Sequence, residues 1–264
     1  MSAKVTQPTL AEFELAHQNV LKVAIETPIL KSNYLTKLTG TDVFLKCENL
    51  QRTGAYKLRG AYNRMSKLTP AERKKGVVAA SAGNHAQGVA LAARKLGIKA
   101  TIFMPIGASL PKLQATENYG AEVVLTGAVF AETLKAAQEY SAKKGAIFIP
   151  PFDHLDVIAG QGTVGLEIME ELADVDNIIV AIGGGGLAAG VATSAKLKAA
   201  ARGRKIKIIG VQAKNASPYV QSLKLGRPIE QQITRTIADG IAVSKPGAIP
   251  FQLIKKNIDK VVTV

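Results

Sequence analysis

Along residues 9–24, Leu10, Phe13, Ala16, Val20 and Val23 recur at helical spacing until Thr27-Pro28 ends the pattern, which predicts an opening helix. The apolar run Val43-Phe44-Leu45 predicts a short strand, and Leu58, Ala61, Tyr62, Met65 and Leu68 predict a helix that starts near Lys57. Strand-like runs follow at Val77–Ala80, Ala100–Met104, Glu122–Leu125, Ile147–Ile149, Asn177–Ile182 and Lys207–Val211, with helical patterns between most of them. Such alternation predicts parallel sheets covered by helices, an α/β architecture. Open parallel sheets bind ligands beyond the carboxyl ends of their strands, so the strand-to-helix junctions are where chemistry is expected. The chain shows no low-complexity linker and no long-period repeat.

With 264 residues, 47% hydrophobic and 20% charged, the chain has the composition of a soluble globular protein of one large or two ordinary domains. No apolar run is long enough to span a bilayer, and Met1–Pro8 lacks a signal peptide's apolar segment, so a cytoplasmic address is expected. The net charge of +14 invites a nucleic-acid reading, but the basic residues fall in scattered pairs and aromatic residues make up only 5%, with no tryptophan. No specific nucleic-acid partner is expected. Cys47, the single cysteine, is expected as a buried strand residue.

Three stretches carry candidate chemistry. Lys57, at a helix start where the macrodipole disfavours an ammonium and with Arg52 and Arg59 close by, is either a Schiff-base lysine or a solvated one. Ser81-Ala82-Gly83-Asn84-His85 joins a strand to a small-residue helix, and offers either an anion cradle of backbone amides or an ordinary capped turn. His85 has no ligand-like spacing to His17 or His154, so no metal site is expected. Gly183-Gly184-Gly185-Gly186 lies between a strand and the helical Leu187–Leu197, where amides can close on a phosphate without side-chain obstruction. No Lys-Ser/Thr pair follows, which excludes a nucleotide P-loop, and Gln212-Ala213 stands where a dinucleotide site wants an acid.

Taken together, Glu48–Ala61, Ser81–Val89, Gly160-Gln161-Gly162-Thr163, the tetraglycine and Ala238-Asp239-Gly240 resemble the fold type II pyridoxal-phosphate enzymes, and among them the threonine ammonia-lyases (threonine dehydratases). The resemblance runs from about Thr9 to the last residue. It implies two parallel-sheet α/β domains, a large cofactor-binding one from residues 1–47 and 147–264 and a small one from 48–146, the large one incomplete at its C-terminal end. It further implies that Lys57 holds pyridoxal 5'-phosphate, that Tyr56 packs on the cofactor ring where most relatives have phenylalanine, and that Asn84 bonds the ring's 3'-oxygen. Ser81, Ala82, Gly83, Asn84 and His85 are the implied cradle for the substrate carboxylate, and Gly183, Gly184, Gly185, Gly186 and Leu187 for the phosphate. The implied reaction is deamination of L-threonine or L-serine by α,β-elimination, in a homo-oligomer, dimer or tetramer.

Departures from related families narrow this. Ala82 replaces the serine that racemases use as a second base, and Gln212 and Pro218 replace the two acids of their metal site. His85 stands where sulfhydrylases have threonine. From another class, a non-catalytic ligand-binding form of the same fold remains the alternative.

Overall fold

A computed structural model describes residues 5–264, so Met1–Lys4 of the N-terminal stretch lie outside the described residues. The elements run α1 (Leu10–Val20), β1 (Ile29–Lys31), α2 (Asn33–Thr39), β2 (Phe44–Lys46), α3 (Lys57–Ser66), α4 (Pro70–Lys75), β3 (Val77–Ala80), α5 (Asn84–Leu96), β4 (Ala100–Met104), α6 (Leu110–Asn118) and β5 (Glu122–Leu125). They continue with α7 (Phe130–Lys144), β6 (Ile147–Phe148), α8 (Leu155–Glu171), β7 (Asn177–Ala181), α9 (Gly186–Ala201), β8 (Lys207–Gln212), α10 (Pro218–Leu225), α11 (Ala248–Asn257) and β9 (Lys260–Thr263). Local chemistry sets several starts: Thr9 and Glu12 form a capping box on α1, and Thr69 and Glu72 do the same on α4.

Among the described residues the strands form three sheets. The order β5-β4-β3-β6 is parallel throughout, β7-β8-β9 is a second parallel sheet, and β1-β2 is a short antiparallel pair. The α/β architecture with parallel sheets is as expected. β6 pairs with β3 in the register Val77 to Ile147 and Val78 to Phe148, so the chain is still within the four-stranded sheet at Phe148.

Each parallel sheet has its own apolar core. Leu58, Ala61, Met65, Val89, Ile102 and Met104 pack over the four-stranded sheet, and Ile158, Met169, Ile182, Val191, Ile208, Tyr219 and Phe251 over the three-stranded one. Cys47 departs from expectation: it lies just past β2, half-buried at the entry to a 3-10 turn, rather than inside a strand.

The Gly160–Thr163 run sits in the middle of α8 and gives α3 its seat. A Cβ on Gly160 would stand 2.6 Å from Arg59 O and from Gly60 Cα, so only glycine lets the two backbones meet. Gln161 Oε1 accepts from the Gly60 N–H at 3.2 Å, and Thr163 Oγ1 accepts from Arg59 Nη1 at 3.0 Å. From the other side, a Cβ on Gly88 of α5 would lie 3.1 Å from the Lys57 carbonyl carbon. The helix that begins with Lys57 is therefore held between α5 and α8.

Candidate active site

Lys57 is the first residue of α3 and is half-buried. Its ammonium donates to Pro151 O at 2.8 Å and lies 5.4 Å from the Tyr56 ring centroid. No carboxylate is recorded against it among the described residues. Burial pulls its pKa down from 10.5 to about 8, because the charged form loses hydration that one carbonyl does not replace. The expected push from Arg52 and Arg59 is not the cause. Arg59, fully buried, turns away into Glu48 and Glu167, which neutralise it. Tyr56 is half-buried against the core of the three-stranded sheet, and burial raises its hydroxyl to about 12.

The residue after Lys57's acceptor ties it to the glycine run. Phe152 lies against that run: a Cβ on Gly184 would strike its ring, and one on Gly186 would stand 2.8 Å from its Cβ. Gly185 has φ +101° and caps α9, and a Cβ there would collide with the Tyr219 hydroxyl. That hydroxyl donates to Gly184 O at 3.1 Å, and the Gly247 N–H donates to the same carbonyl at 3.1 Å. Asp153 then caps α11 through the N–H groups of Ala248 and Ile249, both at 2.9 Å. Lys57 and Gly183–Gly186 thus border the same Pro151-Phe152 pair. Leu187, half-buried, packs on the core of the three-stranded sheet.

The Ser81–His85 turn connects β3 to α5. Gly83 caps α5 without any side-chain bond, so Ser81 and Asn84 do not fill the ordinary capping role. Ser81 Oγ instead accepts from the Gly83 N–H at 3.2 Å. Ser81, Ala82 and Gly83 are half-buried and Asn84 is exposed, which leaves the amides of the first turn of α5 open to an anion. His85 is buried, and its Nε2 contacts Ile149 O at 2.9 Å. A carbonyl only accepts, so the proton sits on Nε2. Burial and the nearby Lys57 charge push His85 down to about 3, so it is neutral, and its buried Nδ1 has no partner.

Other groups were not visible in the sequence patterns. Pro151, Phe152, Asp153 and Tyr219 shape the site with no motif to mark them. His17, Glu26 and Glu167 bring ligand-type atoms within 4.8 Å of one another, although Glu167 is already paired with Arg59 and with Lys46 at 2.7 Å. Surface depressions of about 120 Å³, beside Gln7 and Asp156, and about 370 Å³, beside Glu26 and Glu171, border neither Lys57 nor the glycine run. Gln212 is consumed structurally, accepting from the Tyr219 N–H at 3.0 Å and donating to Ile182 O at 3.2 Å.

A lysine amine at low pKa, an aromatic ring beside it and a glycine-lined helix start are what a phosphorylated aldehyde cofactor needs. The family model described as pyridoxal-phosphate dependent enzyme matches residues 20–264. The chain belongs to the pyridoxal-phosphate dependent enzymes.

Within this family, the chain is 48% identical over 256 residues to the L-threonine ammonia-lyase of Thermotoga maritima, covering 97% of itself and 63% of that protein. To the catabolic L-threonine dehydratase of Escherichia coli K12 it is 47% identical over 249 residues, 94% of this chain and 74% of the other. The structure of the processed form of threonine deaminase isoform 2 from Solanum lycopersicum superposes with a TM-score of 0.92 at 41% identity, covering 99% of this chain and 76% of that one. Maize serine racemase superposes equally well, TM-score 0.92, at 34% identity over 98% of this chain and 77% of that one. The chain therefore spans about two thirds to three quarters of the length of these pyridoxal-phosphate enzymes. Among the described residues no helix is long and apolar enough to cross a membrane.

Proposed function

We propose that the chain carries the elimination chemistry of a threonine ammonia-lyase, releasing ammonia and 2-oxobutanoate from L-threonine, or pyruvate from L-serine. The names of its 43–48% identical relatives support that substrate class. One observation carries the reading. The Lys57 amine is held near pKa 8 with only Pro151 O as partner, at one end of a dipeptide whose other end packs on the glycine run.

These residues fit pyridoxal phosphate. Lys57 would hold it covalently, Tyr56 would lie against its ring, and Asn84 would reach its 3'-oxygen. The amides of Gly183–Gly186 and Leu187 would hold its phosphate at the start of α9. When bound, the cofactor supplies a conjugated electron sink that makes the substrate's α-proton removable. The Lys57 amine, unprotonated in useful amount at neutral pH, takes that proton as general base. Ser81–His85 hold the carboxylate so that the α-proton faces Lys57; the β-hydroxyl leaves as water overall, the proton taken by Lys57 balancing the hydroxide lost from Cβ. Hydrolysis of the released enamine gives the 2-oxo acid and ammonia.

Ala82 offers no proton-bearing group and Gln212 no carboxylate, which weighs against racemisation. The reading brings with it a large and a small domain, for which two separate parallel sheets speak, although β6 moves the return to the large domain past Phe148 rather than at 147; it also brings a cytoplasmic address and a homo-oligomer. Exposed Leu30, Tyr34, Leu38, Leu45 and Leu50 are surface of the kind that subunits bury.

The test is 2-oxobutanoate formation from L-threonine by this chain with added cofactor, beside Lys57→Ala, together with borohydride fixation of the cofactor to Lys57. Equal activity in the two proteins, or cofactor fixed elsewhere, eliminates the reading. Fixation at Lys57 without turnover assigns the chain to the ligand-binding class instead.

A further inference from the structure

Lys112, on α6, belongs to none of the motifs above. Its Nζ stands 3.8 Å, and its Cδ 4.0 Å, from where a Gly83 Cβ would be. The ammonium therefore sits directly over the Ser81–His85 turn. Its recorded partner is Asp239 Oδ2 at 3.6 Å, and the side chains are 44% and 79% exposed. Asp239 opens the short 3-10 turn Asp239–Ile241, and Ile241 packs on the glycine run, 3.1 Å from where a Gly183 Cβ would be. The Lys112–Asp239 contact thus runs from the turn proposed to hold a carboxylate to the turn that lies on the phosphate loop.

A long, exposed ion pair of this kind contributes little by itself, so a second carboxylate can take the lysine from Asp239 at small cost. The turn beneath has open amides at the start of α5, with no side chain capping them. We propose that Lys112 is a specificity residue for the substrate's carboxylate, exchanging Asp239 for that carboxylate when an amino acid binds on Ser81–His85. This rests on the carboxylate role proposed for that turn. Lys112 adds a full positive charge where the turn has only dipoles, which favours α-amino acids over amines of the same size.

The probe is L-2-hydroxybutyrate, a carboxylate of threonine's size with no amine for covalent exchange, titrated into the cofactor-loaded chain by calorimetry at low and high salt. Lys112→Met is expected to weaken binding about 10-fold and to remove most of its salt dependence, while Lys112→Arg restores both. Asp239→Asn is expected to tighten binding about threefold by releasing the lysine. If turnover is present, Lys112→Met raises KM far more than it lowers kcat. Unchanged affinity in Lys112→Met, or a wild-type chain that binds no carboxylate, overturns the inference. Cofactor fixation at Lys57 is scored separately, so the lysine-cofactor reading can stand when this one falls.

Discussion

Replacing Glu167 with glutamine keeps the side chain's volume and removes one charge from a cluster nearly closed to water. Glu167 is 3% exposed in its side chain and accepts from Arg59 and from Lys46, with His17 at 3.3 Å. Arg59 is bidentate to it and bidentate again to Glu48, at 2.9 and 2.8 Å. Burial by itself raises the Glu167 carboxyl, but the neighbouring His17, Arg59 and Lys46 outweigh it and hold the group at about 2 against an ordinary 4.5. That difference corresponds to about 3 kcal/mol of stability at neutral pH. It agrees with the roughly 3–5 kcal/mol lost when one partner of a buried ion pair is removed. Set against a total of about 5–15 kcal/mol, such a loss is severe, and at about 2–4 °C per kcal/mol it lowers the melting temperature by roughly 10 °C.

The sign with pH is fixed by the depressed value. The folded carboxyl titrates below the unfolded one, so its contribution is complete above about pH 5 and fades as pH falls towards 2. Thermal unfolding of the parent and Glu167→Gln by circular dichroism at pH 7, 5 and 3 reads this directly. The gap is expected to be full at pH 7 and to shrink to roughly half or less by pH 3. A gap under about 1 kcal/mol at pH 7, or one that does not change with pH, refutes the account of this cluster.

Two further predictions concern the site. Burial holds Lys57 at about 8, so the rate of cofactor capture, followed by absorbance and fixed with borohydride, rises about tenfold per pH unit below 8 and levels above it; a midpoint near 10.5 contradicts the burial argument. Gly185→Ala drives a methyl into the Tyr219 hydroxyl at φ +101° and is expected to cost about 2–4 kcal/mol and to weaken cofactor affinity at least tenfold. Gly203→Ala, at φ +68° with open space around it, is the control, expected to cost about 1 kcal/mol and leave cofactor affinity alone. Equal cofactor affinity in the two variants removes the glycine run from the site.

Hydrophobic periodicity by itself determined the α/β order, the start of α3 at Lys57 and strands such as Val77–Ala80 and Ala100–Met104, because each is a local pattern longer than a turn. It did not reveal β1 or β9, short segments with no buried position in their burial pattern that are strands only through their partners. Motif spacing likewise marked Lys57, Ser81–His85 and Gly183–Gly186, since helix starts and glycine runs are written in consecutive residues. What surrounds them was decided in three dimensions. Arg59, two residues from Lys57, points into Glu167, 108 residues away, and so leaves the lysine to be tuned by burial. Pro151, Phe152, Tyr219, Lys112 and Asp239 reach the site from elements far apart in the chain. Burial and pairing across such separations depend on how helices seat on sheets, a property that no window of neighbouring residues contains.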